Sequence, residues 1–382
     1  MRIRAFLSHK REDQSDVAAL REELKVYGAG GYKDIEDLRL GVNTGDELER
    51  AIHELTGGFI WWGTQKALGS KWINELEIPT AVARATTTPS YPIVPLFIDL
   101  SPGADATAIR AAVGSHTDDF LAHNGVVYDG VEDPKAFRRR VARRYVRDAI
   151  TGLGAGTLTI AFRALSEPDG DHDLTFDWRE LLDPRRRVLV PGALDAMIDA
   201  LANTREIAQA RTNSPELRVE PDLPLPLAYL VGYEWRITTR LRLAVNQRTG
   251  STFRWISADG PTAPIGAPIA EELVSNDDVT VVVASCGTGT PGAARRYADS
   301  VGARRLVTLH VDGLLDDGQI RALARATADE LRAANDRGEH KHLLIVGPAT
   351  LAMLIGAAAN ACGAVTVPFW DGTTYVSPVT VG

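Results

Sequence analysis

Short apolar runs alternate with amphipathic stretches through residues 1–150. Ile3–Ser8 reads as a strand with a β-branched start. Asp13–Tyr27 carries Val17, Leu20 and Leu24 at helical spacing, a single buried stripe. Gly30–Ile35 reads as a second strand. Thr44–Leu55 opens on Thr44 with Glu47 three residues on, a capping-box pattern, and Leu48, Ala51, Ile52 and Leu55 line its inner face. Phe59–Trp62 is a third strand, Ile73–Arg84 a helix and Ile93–Asp99 a fourth strand. This alternation predicts a parallel, doubly wound sheet. Pro134–Leu153 closes the region as a helix, with Phe137, Val141, Tyr145, Ala149 and Leu153 on one face. Arg138, Arg139, Arg140, Arg143, Arg144 and Arg147 crowd the other, read as a solvated basic face rather than a phosphate site. Gly-Leu-Gly-Ala-Gly at 152–156 marks a domain boundary.

The remainder repeats itself. Pro224-Leu-Pro-Leu-Ala-Tyr-Leu-Val-Gly232 matches Pro348-Ala-Thr-Leu-Ala-Met-Leu-Ile-Gly356 at a constant offset of 124 residues. Leu158–Phe162 opens one copy as a strand and Val279–Ser285 opens the other. Each closes on aromatics: Phe253 and Trp255, then Phe369, Trp370 and Tyr375. In the second copy we expect helices over 291–301, 318–336 and 348–360, and strands over 305–311, 342–346 and 364–369. A unit of this length is too long for a solenoid. It predicts two α/β subdomains facing each other across a pseudo-twofold axis.

At 382 residues, two or three domains are expected. The net charge of −8 argues against a long nucleic-acid partner while leaving room for a small anion. Two cysteines, Cys286 and Cys362, exclude a disulfide framework and a cysteine-based zinc site. His340 and His342 lack companion ligands for a metal. The uncharged run Ala349–Trp370 is long enough to span a bilayer, yet Gly356, Asn360, Gly363 and Pro368 punctuate it. It reads as a buried helix and strand, in a soluble, cytoplasmic chain without a membrane partner.

In open α/β sheets, ligands meet the carboxyl ends of strands. Phe6-Leu-Ser-His-Lys-Arg-Glu-Asp13 and Asp34-Ile-Glu-Asp-Leu-Arg-Leu-Gly41 are such strand-end segments. Ser70-Lys-Trp-Ile-Asn-Glu-Leu-Glu-Ile-Pro-Thr-Ala81 adds a helix bearing Glu75 and Glu77. These three segments, in this order, resemble a TIR domain. Phe6-Leu-Ser8 is similar to its first box, Asp37-Leu-Arg-Leu-Gly41 to its flexible loop, and Ser-Lys-Trp with Glu-Ile to the motif around the glutamate of NAD-cleaving members. The resemblance covers residues 1–153 and implies a flavodoxin-like domain with a parallel sheet. It implies a catalytic Glu77, with Glu75 in reserve, and substrate contacts at Phe6, Ser8, Asp37 and Trp72. The family spacing places glutamate four residues after tryptophan, where this chain has Leu76. Glu75 lies three after Trp72 and Glu77 five after. Trp61 and Trp62 alternate along a strand, so at least one belongs to the core. The adaptor reading, in which this domain only recruits partners, stays open, as does a nucleoside-type transferase.

Ala284-Ser-Cys-Gly-Thr-Gly-Thr-Pro291 joins a strand to a helix and lacks the lysine of a phosphate loop. It suits an anion at a helix amino terminus or a plain glycine-rich connector. With the repeat, residues 157–382 resemble a SAVED domain, two fused CARF-like (Rossmann-like) subdomains at about 157–258 and 277–382. The whole resembles a TIR–SAVED effector of CBASS antiphage immunity. That resemblance implies an activating cyclic oligonucleotide, cyclic tri-adenylate, contacted by Arg163, Ser285, Cys286, Gly287, Thr288 and Trp370. It also implies head-to-tail filaments and NAD as a substrate that is hydrolysed, with no bound cofactor.

Overall fold

A computed structural model describes residues 3–32, 44–167, 170–183, 188–249, 252–273, 277–287, 291–313 and 316–382. Asp37 and Thr288 lie outside them. The chain divides into an amino unit, Met1–Gly156 with Asp169–Phe176, and a carboxyl unit, Thr157–Pro168 with Asp177–Gly382.

The amino unit holds β1 (Arg4–Ser8), α1 (Gln14–Val26), β2 (Gly30–Tyr32), α2 (Thr44–Arg50), β3 (Gly58–Gly63), α3 (Ile78–Thr87), β4 (Ile93–Phe97), β5 (Val126–Val127) and α4 (Pro134–Gly152). The strands are all parallel, in the order β2-β1-β3-β4-β5. α1 forms because Val17, Leu20 and Leu24 share one face and are buried. α4 begins where the Asp133 side chain accepts from Ala136 N–H at 2.9 Å and Pro134 fills the first turn. It ends at Gly152, so Leu153 falls past the last turn and is exposed rather than part of the inner face. Its arginines are partly taken up by acids: Arg140 by Glu132 at 2.6 Å, Arg144 by Asp148 at 2.6 Å and Arg139 by Glu23 at 3.6 Å.

The carboxyl unit is a duplicated fold. Its first sheet contains β6 (Leu158–Arg163); β7 (Leu174–Asp177) spans the division between the units, and a small hairpin pairs β8 (Leu182–Asp183) with β9 (Val188–Leu189). Then come α5 (Ala193–Arg211), β10 (Glu216–Asp222), α6 (Leu225–Glu234), β11 (Arg242–Thr249) and β12 (Thr252–Ser257). The second copy has β13 (Ile269–Glu272), β14 (Val279–Cys286), α7 (Pro291–Ser300), β15 (Arg305–Val311), α8 (Asp317–Asp336), β16 (His340–Val346), α9 (Ala349–Ala358), β17 (Val365–Trp370) and β18 (Tyr375–Val381). Strands run β12-β11-β10-β6 in the first sheet and β13-β15-β14-β16-β17-β18 in the second. Both close with an antiparallel hairpin, β11–β12 and β17–β18. The sequence pattern marks the β17 strand and the aromatics at both ends of the repeat, and the antiparallel pairing is added by the structure.

The 124-residue offset is structural. Ala193 and Asp317, Glu216 and His340, and Leu225 and Ala349 open equivalent elements. α6 and α9 cross at equivalent glycines. A methyl at Gly232 would overlap the Met353 carbonyl oxygen, and one at Gly356 would overlap the Tyr229 carbonyl oxygen. Residue i meets j and its copy of j meets the copy of i, the signature of a twofold contact. Each helix also reaches the other copy's sheet, α6 against β17 and β18 and α9 against β11. Thr350 Oγ1 donates to the Asn246 carbonyl there, at 3.0 Å.

The uncharged run 349–370 resolves into α9, a ten-residue helix, and β17. Among the described residues no helix is long and apolar enough to cross a membrane.

Candidate functional site

In a 2-1-3-4-5 parallel sheet the topological switch lies between β1 and β3, and ligands bind beyond the carboxyl ends there. β1 delivers Ser8 and His9 to that edge; β3 delivers Gly63 and Thr64. Ser8 and His9 are buried, at 1% and 6% exposure. His9 Nδ1 donates to the Leu7 carbonyl at 2.8 Å, and among the described residues neither Ser8 Oγ nor His9 Nε2 has a partner. Thr64 Oγ1 donates to Asp13 Oδ2 at 3.0 Å and accepts from Ala67 N–H at 3.2 Å. Burial raises the Asp13 pKa above the usual carboxylate range, and the Thr64 bond opposes that shift.

The two glutamates separate. Glu75 is exposed, whereas Glu77 is enclosed at 3% exposure. Residues two apart on any helical turn point to opposite sides, and here the turn over Ile73–Glu77 is a π turn, where Ile78 N–H donates to the Ile73 carbonyl five residues back. A π turn adds one residue per turn, so a side chain five positions on returns to the side an α-helix would reach in four. Glu77, five residues after Trp72, therefore comes round to the side that a residue four after Trp72 takes in an α-helix. Asn74 braces the turn, its Nδ2 donating to the Leu68 carbonyl at 2.7 Å. The turn packs against α2, where buried Glu47 accepts from Arg50 at 3.1 and 3.2 Å.

The other candidates here differ in kind. Phe6 is a core residue: fully buried, its ring stacks on Tyr32 and on Phe59, each centroid 5.7 Å away. Both of its faces are covered, so a substrate contact is ruled out for that ring. Trp72 stands half exposed at the surface. Trp61 and Trp62 point to opposite faces and both are buried, Trp61 edge-on to Phe97 and Phe120, Trp62 edge-on to Phe137. A side chain at Gly63 would overlap the Trp61 ring.

In the carboxyl unit, register identifies equivalent positions. Arg163 sits opposite Asp222, Ser285 opposite Val346, and the two partners are one repeat apart. Arg163 ends β6 and Ser285 lies one residue before the end of β14, at equivalent places in the two copies. Arg163 is 2% exposed. Its Nη1 donates to the Phe162 carbonyl at 3.1 Å and its Nη2 to Glu220 Oε1 at 2.5 Å. The guanidinium therefore already ties β6 to β10. Ser285 Oγ lies 2.8 Å from His310 Nδ1, and His310 Nε2 lies 2.9 Å from Asp312 Oδ1. Gly287 has a left-handed φ of 73°, and its N–H donates to the Val311 carbonyl at 3.2 Å, so it closes the strand end rather than offering an amide to an anion. Space beside it is open, with no atom within 4 Å of an added methyl. Cys286 is half-buried, which pushes its thiol pKa up. Trp370 ends β17 on the same edge, its ring 4.9 Å from Tyr375, which meets Tyr297 at 5.5 Å; the Tyr297 hydroxyl and His342 Nδ1 are 2.8 Å apart. Among the described residues no group of three or more His, Cys, Asp or Glu could hold a metal ion.

The sequence reading missed His9, Asp13 and Thr64 in the amino unit, and Glu220, His310 and Asp312 in the carboxyl unit. Strand-end position was the available signal for His9 and His310.

Residues 200–377 match the family described as SMODS-associated and fused to various effectors sensor domain, SAVED. The carboxyl-terminal region thus carries a SAVED domain. The fold is similar to the SAVED/CARF-domain containing receptor Cap4 of Acinetobacter baumannii, solved with the cyclic trinucleotide 3'3'3'-cAAA. That likeness has a TM-score of 0.50 at 11% identity, over 96% of this chain and 97% of that one. The same receptor with 2'3'3'-cAAA gives a TM-score of 0.50 at 12% identity and the same coverage. No curated protein matches the chain.

Proposed function

We propose that this chain is a CBASS-type effector in which a cyclic oligonucleotide, cyclic tri-adenylate, binds the SAVED domain and switches on NAD hydrolysis by a TIR-like amino unit. The carrying observation is the SAVED match over residues 200–377. The Acinetobacter receptor holding cyclic trinucleotides supports the ligand class. In this reading the ligand lies at the carboxyl ends of β6 and β14, near the amino termini of α6 and α9. A twofold frame suits a nearly symmetric ring, and helix amino termini favour its phosphates.

The enzymatic half rests on Glu77, buried in the connection that follows β3. Cleavage at the nicotinamide bond passes through an oxocarbenium-like ribose. Nicotinamide leaves as a neutral base, so no general acid is required. One carboxylate can hold the ribose hydroxyls and stabilise the developing positive charge. Ser8 and His9 offer polar atoms at the carboxyl end of β1. Ligand binding favours a head-to-tail assembled state, in which neighbouring TIR-like units complete the site. The product is nicotinamide with ADP-ribose, and the consequence is NAD depletion.

The test is NAD loss by the full chain with a panel of cyclic nucleotides, alongside light scattering. We expect turnover and assembly only with the cognate ring. Glu77→Gln should lower the rate at least ~100-fold, and Glu75→Gln should leave it intact. Bound ligand with no cleavage would favour the adaptor reading, which the deep burial of Glu77 also fits.

A further inference from the structure

Ser285 and His310 face each other across the parallel β14–β15 register. The serine oxygen is 2.8 Å from His310 Nδ1, and Asp312 Oδ1 is 2.9 Å from His310 Nε2. A carboxylate has no hydrogen to give, so in the neutral ring Nε2 carries the proton. Nδ1 is then a bare acceptor, and the single Ser285 hydrogen must point at it. The Leu309 carbonyl, 3.4 Å from the same oxygen, is a poorer second acceptor. In this state the Ser285 hydrogen is committed to the ring, and the hydroxyl offers an anion no donor.

Protonation of the ring reverses the bond. Nδ1–H donates to Ser285 Oγ, and the serine hydrogen is released. A phosphate oxygen would take it in preference to the Leu309 carbonyl, because a charged acceptor makes the stronger bond. Resting on the nucleotide reading above, we propose that His310 is a positioning residue of the ligand site. It turns Ser285 from acceptor to phosphate donor, so that ligand binding takes up a proton.

The charged surroundings leave His310 as the switch. Asp312 is on its own strand, and Cys286 is the titratable neighbour on β14. On β13, Glu271 and Glu272 pair with Arg295 and Arg305 toward the other end of β15. On α7, Arg295 also binds Asp299. On α8, Asp316 caps its own helix and Asp317 pairs with Arg254.

The experiment measures the dissociation constant of cyclic tri-adenylate for the full chain between pH 8 and pH 6. The expected wild-type result is about tenfold tighter binding at pH 6, the worth of one charge-assisted hydrogen bond. His310→Phe is the decisive variant, since a phenyl ring takes no hydrogen from Ser285 at any pH. That leaves the serine hydrogen to the ligand throughout, so binding at pH 8 should approach wild type at pH 6 and the pH slope should vanish. Ser285→Ala should stay weak at both pH values. A His310→Phe profile identical to wild type overturns the proposal. Nitrogen-15 spectra of the histidine rings, assigned with His310→Phe, read the same lock without ligand. An Nδ1–H tautomer in the wild type at pH 8 also overturns it. The Nε2–H tautomer with no binding at any pH instead overturns the nucleotide reading, leaving the pair a structural bond.

Discussion

Arg163 and Ser285 occupy one position in two copies of the same fold, yet they share no chemistry. Arg163 is a buried charge held by Glu220 and a backbone carbonyl. Ser285 is a buried hydroxyl held by a histidine one strand away. The backbone repeats because the twofold helix crossing demands it; the strand ends diverge because they carry no such demand. A nearly symmetric ligand would therefore meet a fixed ion pair on one side and a titratable donor on the other.

The largest expected effect tests the shared frame. Gly232→Ala and Gly356→Ala each drive a methyl into a backbone carbonyl of the opposite helix. Each should cost ~3 kcal/mol or more in a denaturant titration of the full chain. Because the contact is twofold, the two losses should agree closely. A cost in only one would break the symmetric packing. Next, Arg163→Ala removes one member of a largely buried pair. We expect a loss of ~2 kcal/mol, below the fully buried range because Glu220 is 31% exposed. Ser285→Ala should cost under ~1 kcal/mol in folding, having lost one hydrogen bond, while weakening the ligand at low pH. Equal folding costs would erase the contrast between the copies.

The smallest effect is alkaline. Burial pushes the Cys362 thiol up to about 11, from an ordinary 9.0. Above pH 9 the unfolded chain loses this proton while the folded chain keeps it. Stability is therefore fully present below pH 9 and falls as pH rises toward 11. Thermal scans of wild type against Cys362→Ala should converge over that window.

Periodicity makes the alternation of strand and helix legible, while the strand order comes from the structure. Val17, Leu20 and Leu24 fix α1, and the repeat exposes the twofold frame before any coordinates do. Other features have no local signal. The π turn at Ile73–Glu77 uses residues that an α-helix would accept equally, so the burial of Glu77 has no signal in the local sequence. His310 reaches Ser285 across 25 residues of sequence, a pairing set by strand register. Phe6 sits in a motif segment, but its stacking between Tyr32 and Phe59 follows from the order β2-β1-β3, which one strand does not reveal.

The crossing at Gly232 and Gly356 also has an assembly meaning. It is the contact that a homodimer would make if its two subunits were joined end to end. A short tether holds such partners at an effective concentration of roughly millimolar. An interface too weak to pair free subunits at cellular levels is then sufficient. Part of the tether is strapped down, since Arg321 donates to the Pro261 carbonyl at 2.6 Å and Arg325 to the Gly260 carbonyl at 3.2 Å. A protease nick within residues 262–268 would turn this one-chain sensor into a concentration-dependent dimer.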